Sequence, residues 1–322
     1  MLRCPVTCLV GLVAFVALVS PAQAEVRVVV TSKPIHSLVT SVMDGPGGRF
    51  GQPSLLVSGS ASPHTYAMKP SDAKSVSAAQ VFFRVSEDLE PFTGKLVKSL
   101  AASVRVETLA AAPGLKRLPK REGGAFEDDG HGHGHGGHKA SAGKVGNQQL
   151  PTAEVDPHLW LDPDNANIMA RRIAQVLAEA EPANAAGYTA NAAALIVRND
   201  RLAADLRREL AARPTRPFIV FHDAYQYFEA WAGLAAAGAI TTNPEVPPTG
   251  KRLATLRAKI KTAGVACVFS EPQFQPKVIA AVTEGLAVRT GTLDPEGTLL
   301  EPGSALYDQL MRDLAKGLVG CR

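Results

Sequence analysis

The sequence predicts an α/β protein of two lobes joined by a long helix. Three observations lead there. Short apolar, β-branched runs alternate with helical stretches, the pattern of βαβ units around a parallel sheet. That rhythm runs once from Val26 to Leu109 and again from Phe218 to Val319. Between them, Pro182 to the Arg213-Pro214 break holds Tyr188, Leu195, Leu202, Leu206 and Leu210 at helical spacing. A helix of that length spans about 45 Å at 1.5 Å per residue and suits a strut. At 322 residues the chain is long enough for two cores.

In order, Val26–Val30 reads as a strand covered on both faces. Pro34 opens a helix through Leu38 and Val42 that stops at Gly45-Pro46-Gly47-Gly48. Ser54–Val57 is a second strand, and the turn-rich 58–63 loop delivers His64. Ser71 is the expected cap of a helix to Gln80. Val81–Val85 and Val104–Leu109 are strands around a helix from Pro91 to Ala101. From Ala111 to Pro151 periodicity is lost, which marks a long mobile insertion. Asp162-Pro163 starts a helix with the apolar stripe Ile168, Ile173, Val176 and Leu177. In the second lobe, Phe218–Phe221 is a strand ending on His222, followed by a helix from Ala224 to Leu234. Helices are expected over Thr249–Thr262, Pro276–Glu284 and Ser304–Val319, with strands over Val265–Phe269 and Leu286–Thr292. The resulting division is 1–24, an N-terminal lobe over 25–181 with its insertion near 115–150, a connecting helix over 182–213, and a C-terminal lobe over 214–322.

Composition excludes some functions. A formal charge of +4 and the lack of a basic run with interleaved aromatics argue against nucleic acid as a partner. Arg3, the apolar Cys8–Val19 run and Ala22-Gln23-Ala24 have the layout of a secretory signal peptide over 1–24. The mature chain would then begin near Glu25, exported and soluble. It would keep two cysteines, Cys267 and Cys321, which an oxidising compartment favours as a disulfide.

The chemistry points to histidine. Pro63-His64-Thr65-Tyr66, Asp156-Pro157-His158-Leu159-Trp160-Leu161-Asp162-Pro163 and Phe221-His222-Asp223-Ala224-Tyr225 each set one imidazole in a tight context. His222 directly ends a strand, where ligands gather in open α/β sheets. Three neutral imidazoles are natural zinc ligands, and the reading here is one metal site built from His64, His158 and His222. His36, on a helix, reads as structural. His131, His133, His135 and His138, spaced by glycine beside Asp128 and Asp129, read as an accessory metal-collecting loop. Its flexibility costs ordering entropy and makes its binding the weaker of the two.

Taken together, Ser62-Pro63-His64-Thr65-Tyr66 with Lys69-Pro70-Ser71-Asp72, the Asp156–Pro163 stretch, His222-Asp223-Ala224-Tyr225, Glu271-Pro272-Gln273-Phe274 and Gly291-Thr292-Leu293-Asp294-Pro295 resemble the ZnuA-type family. These are periplasmic zinc-binding components of ABC importers, within the metal-specific cluster A-I of solute-binding proteins. The motifs run in family order across nearly the whole mature chain. The resemblance implies two Rossmann-like lobes, a rigid connecting helix and a Zn2+ ion in the cleft on His64, His158 and His222, with Asp294 or water in the fourth position. Manganese-type relatives carry Glu at the His222 position, which favours zinc here. A terminal cysteine paired to one in a C-lobe strand also resembles zinc members, while this loop carries only four histidines, fewer than in many relatives.

The implied function is capture of periplasmic zinc by a monomer that docks on a membrane permease. This chain has no Gly-x-x-x-x-Gly-Lys-Ser/Thr loop, so energy comes from the partner's cytoplasmic ATPase. Small changes around the cleft are expected, not wide hinge motion. The alternatives are a zinc hydrolase, which lacks both a His-Glu-x-x-His helix and a clear general base, and a manganese-binding or adhesin-type member of the same fold.

Overall fold

A computed structural model describes residues 25–121, 126, 154–212, 216–244, 246–275 and 277–321. The expected signal segment over 1–24 and the expected accessory histidines His131, His133, His135 and His138 lie outside these described residues.

Valine-rich β1 (Val28–Val30) is wholly buried. It leads into α1 (Lys33–Met43), which Pro34 helps to start. A short hairpin, β2 (Asp44–Gly45) with β3 (Gly48–Arg49), follows where the glycines predict a turn. It needs those glycines, because a Cβ on Gly47 would lie 2.4 Å from the Gly187 carbonyl oxygen. Next come β4 (Ser54–Leu55), α2 (Pro70–Ser77), β5 (Val81–Arg84), α3 (Thr93–Ser99) and β6 (Arg105–Thr108). Ser71 does not cap α2. Pro70 occupies the first helical position, and the Asp72 carboxylate closes the end by accepting from the Lys69 backbone N–H at 2.8 Å.

Asp162 caps α4 (Pro163–Ala180), accepting from the Asp164 N–H at 3.0 Å. Ile173, Val176 and Leu177 are buried as their spacing predicts, while Ile168 is only half-buried. A 3-10 turn at Pro182–Asn184 separates α4 from α5 (Ala185–Ala211), whose 27 residues span about 40 Å. Its stripe, Tyr188 to Leu210, is buried against α1, α4 and the final helix.

The second half contains β7 (Phe218–His222), α6 (Gln226–Ala232), β8 (Gly238–Thr241) and α7 (Gly250–Thr262). It continues with β9 (Cys267–Ser270), α8 (Lys277–Thr283), β10 (Arg289–Thr292) and α9 (Leu306–Gly320). Strand β8 has no counterpart in the sequence reading, because Gly-Ala-Ile-Thr carries one large apolar side chain and follows an alanine run. Burial beside β7 makes it a strand. Strand β10 is an edge strand with Arg289, Thr290 and Thr292 exposed. Cys267 in β9 is bonded to Cys321 just beyond α9.

Both four-stranded sheets are parallel, with orders β4-β1-β5-β6 and β10-β9-β7-β8. Numbered within its own lobe, each sheet reads 2-1-3-4. The chain leaves the first strand to opposite sides, so each lobe has a switch point at the carboxyl ends of its first and third strands. The core does not split cleanly by lobe. One cluster runs from Val28 and Leu38 through Trp160, Tyr188 and Leu206 to Phe269 and Tyr307, beside a smaller cluster in each lobe. Buried polar contacts reinforce this junction. Trp160 Nε1 donates to the Pro295 carbonyl at 2.9 Å, and Lys33 Nζ donates to those of Thr298 and Leu300 at 2.6 and 2.9 Å. Among the described residues no helix is long and apolar enough to cross a membrane.

Candidate metal centre

Three different local structures bring one imidazole each to the cleft. His222 is the last residue of β7, at the C-lobe switch point. His158 immediately precedes the 3-10 turn Leu159–Leu161 that leads into α4. His64 lies on the loop between β4 and α2. The His158 Nε2 is 3.3 Å from His64 Nε2 and 3.2 Å from His222 Nε2, and one ring nitrogen of each lies within 4.8 Å of the others. Zinc–nitrogen bonds of about 2.05 Å at tetrahedral angles place neighbouring nitrogens about 3.3 Å apart. Both separations from His158 therefore match the spacing around one tetrahedral ion, and the His64–His222 pair lies within 4.8 Å.

Two of the rings are held from behind by carboxylates. His158 Nδ1 donates to Asp156 Oδ1 at 2.8 Å, and the His158 backbone N–H donates to the same oxygen at 3.0 Å. His222 Nδ1 donates to Glu271 Oε2 at 2.6 Å, its backbone N–H to Glu271 Oε1 at 3.1 Å. A carboxylate on Nδ1 fixes the tautomer that leaves Nε2 as the metal-facing lone pair. Gln226 of α6 donates to Asp156 Oδ2 at 3.2 Å, so the His158 brace is itself held from the other lobe. Among the described residues, no carboxylate meets the half-buried His64 ring.

Electrostatics follows this arrangement. Burial, aided by the neighbouring imidazoles, holds His64 and His158 well below the ordinary histidine range, so both are neutral and able to bind a cation. Burial also pulls His222 down, but the Glu271 charge and hydrogen bond outweigh it and leave His222 above its ordinary value. Burial lifts Asp156 to about 6. The rings open onto a cavity of about 430 Å3, also lined by Glu87, Asp88, Lys120 and Asp223.

Asp294 stands apart from the three-histidine group. Its Oδ1 accepts from Gln273 Nε2 at 3.2 Å and the Glu296 N–H at 3.1 Å, and its Oδ2 from Thr298 N–H and Oγ1 at 2.6 and 2.7 Å. His36 is structural, its Nε2 hydrogen-bonded to the Pro53 carbonyl at 3.1 Å.

Comparison with known proteins agrees with this geometry. Residues 28–321 match the family described as "Zinc-uptake complex component A periplasmic". The chain belongs to the ZnuA family. A relative named "High-affinity zinc uptake system protein ZnuA" from Brucella abortus (strain 2308) is 44% identical over 307 residues, covering 91% of each chain. A crystal structure of ZnuA superposes with a TM-score of 0.72 at 24% identity, covering 92% of this chain and 99% of that one. The periplasmic zinc-binding protein TroA from Treponema pallidum gives 0.75 at 19% identity, covering 92% and 99%. Both structural likenesses bear on the fold alone, and both have the two-lobe α/β architecture. The ZnuA relatives bear the name of a transport component, not of an enzyme.

The sequence reading missed the two braces as working residues. Glu271 was visible only as part of a motif, and its reach to His222 depends on β9 lying beside β7. Asp156 had a local signal, since a carboxylate two residues before an imidazole can bond both its backbone and its ring.

Proposed function

We propose that this ZnuA-family chain captures zinc in the periplasm and delivers it to the membrane permease of an ABC importer, whose cytoplasmic ATPase supplies the energy. The supporting observation is the convergence of three imidazole nitrogens from both lobes, with His158 Nε2 3.3 and 3.2 Å from those of His64 and His222. His64, His158 and His222 are the proposed ligands. All-nitrogen donors favour zinc over manganese. The engagement of Asp294 by four donors supports water in the fourth position.

Residues 1–24 are the proposed signal peptide, and the mature chain acts as a monomer with lobes over 25–181 and 214–322. The histidine-rich insertion is an accessory collector. Asp156 and Glu271 lie behind the imidazoles, which disfavours a hydrolase, because neither faces a metal-bound water as a general base.

Chelator competition on the intact chain, a His158→Ala variant and a form lacking 122–145 tests this reading. The intact chain should show one tight site and weaker ones. The deletion should keep the tight site, and His158→Ala should lose it. Unchanged affinity in His158→Ala sinks the proposal, and ester or peptide hydrolysis by the zinc-loaded chain would revive the enzyme reading. Growth of a deletion strain impaired only under zinc limitation would favour transport over adhesion.

A further inference from the structure

Arg121 lies outside every motif in the sequence, yet its side chain joins the two lobes beside the metal centre. Its guanidinium is largely buried and makes a double fork. Nε donates to both Asp223 carboxylate oxygens at 2.9 and 3.0 Å, and Nη2 also contacts Asp223. Nη1 and Nη2 each donate to Glu229 at 3.0 Å. Asp223 and Glu229 belong to the C-lobe and are almost fully buried. The Phe126 ring covers the guanidinium, its centroid 4.0 Å from Cζ.

Both ends of this connection lead to a ligand. On one side, the backbone just before Arg121 is paired with the segment that carries His158. The Asp156 N–H donates to the Leu118 carbonyl at 2.9 Å, Lys120 N–H donates to that of Glu154 at 3.0 Å, and Pro119 bridges Val155. On the other side, Asp223 directly follows His222 in the chain. The fork thus spans the joint across which His158 Nε2 and His222 Nε2 stand 3.2 Å apart. Neutral bonds run alongside it, from Leu118 N–H to Tyr227 Oη at 2.9 Å and from Gln226 Nε2 to the Pro119 carbonyl at 3.0 Å. Arg121 is the planar, bidentate part of this seam, a geometry that lysine cannot reproduce.

We propose that Arg121 is a positioning residue of the zinc site, clamping the His158 segment to the His222 end of the C-lobe so that bound zinc is released slowly. This rests on the zinc-capture reading above. The clamp consists of protein groups alone, so it preorganises the three-imidazole geometry and spares the metal that ordering cost. Zinc dissociation requires at least one imidazole to move away. With the joint clamped, His64 is the ligand left to swing, and with the clamp removed the His158–His222 pair opens as well.

The test measures the zinc dissociation rate of the whole chain into excess chelator, with Arg121→Gln, Arg121→Lys, Glu229→Gln and the double variant Arg121→Gln/Glu229→Gln. Thermal midpoints of the zinc-free forms are measured alongside. Arg121→Gln should release zinc about tenfold faster or more, the scale of losing an outer partner of a metal site. Arg121→Lys, which keeps the charge without the fork, should recover only part of the retention. The double variant removes Glu229 as an orphaned buried charge, so it should regain thermal stability while still releasing zinc fast. A double variant that regains stability and slow release together would make Arg121 merely structural and overturn the proposal. So would release from Arg121→Gln within about twofold of the parent, a difference of only ~0.4 kcal/mol. A parent that loses zinc as fast as His158→Ala would instead overturn the reading of the site itself, which separates the two failures.

Discussion

The two lobes solve one structural problem in the same way and put different chemistry on the solution. Each sheet has the order 2-1-3-4, and in each a buried glutamate just beyond the third strand reaches back to the end of the first. In the N-lobe, Glu90 accepts from Thr31 Oγ1 at 2.5 Å and from the Val85 and Ser86 backbone N–H groups. In the C-lobe, Glu271 accepts from His222 at the same topological place. A threonine there leaves a closed structural knot, and burial pushes Glu90 up to about 7. A histidine there turns the same glutamate into a brace for one imidazole of the proposed metal site. The scaffold chooses the location, and the residue ending the first strand decides whether it does chemistry. The N-lobe contributes its imidazoles from elsewhere, a loop and an interlobe turn.

Breaking the Cys267–Cys321 bond with Cys321→Ser should have the largest effect on stability and should fall on the C-lobe. Its 54-residue separation corresponds to about 4 kcal/mol in the chain-entropy account. Hydrogen exchange should report lost protection around β9 and α9, and equal loss in β1 and β5 would contradict a lobe-specific effect.

The pH response of Glu90 comes next. Its folded pKa, raised from 4.5 to about 7, means the fold favours the protonated form. The contribution to stability is present at low pH and is lost as pH rises through about 7, a swing of ~3 kcal/mol. Urea denaturation of the zinc-free chain at pH 5 and pH 8 should show Glu90→Gln gaining on the parent at the higher pH. A constant difference between the two would refute the assignment.

Glu271→Gln should weaken zinc binding by ~10–100-fold, the range for outer partners of metal ligands. It should also move the acid loss of binding to lower pH. His222 now sits above its ordinary value because of Glu271, so protons compete with zinc there from a higher pH than at a free imidazole. Chelator competition across pH measures both effects, and an unshifted profile would remove Glu271 from the role of brace.

Thr31→Ala should show the smallest effect, about 1 kcal/mol of stability from one lost hydrogen bond, with zinc affinity within about twofold of the parent, a change of only ~0.4 kcal/mol. A large loss of affinity would mean that the two glutamates are coupled through the lobe junction.

Much of this molecule was legible in one dimension. The alternation of strands and helices, the α5 stripe from Tyr188 to Leu210, the Asp162 cap and the three histidines all follow from local spacing or local chemistry. Strand β8 was not legible, because its side chains carry little signal and its identity comes from lying beside β7. Nor was the continuity of the core across the lobes, which the packing of α5 against α1, α4 and α9 creates.

For the metal centre, the sequence by itself determined which donors exist, since imidazoles in tight loops and at a strand end are a property of the chain order. Tertiary structure decided how those donors are held. Whether Glu271 braces His222 and whether Arg121 spans the joint depend on groups 49 and 102 positions apart in the chain. Such distances are closed by the packing of two sheets around one core, and no local pattern records them.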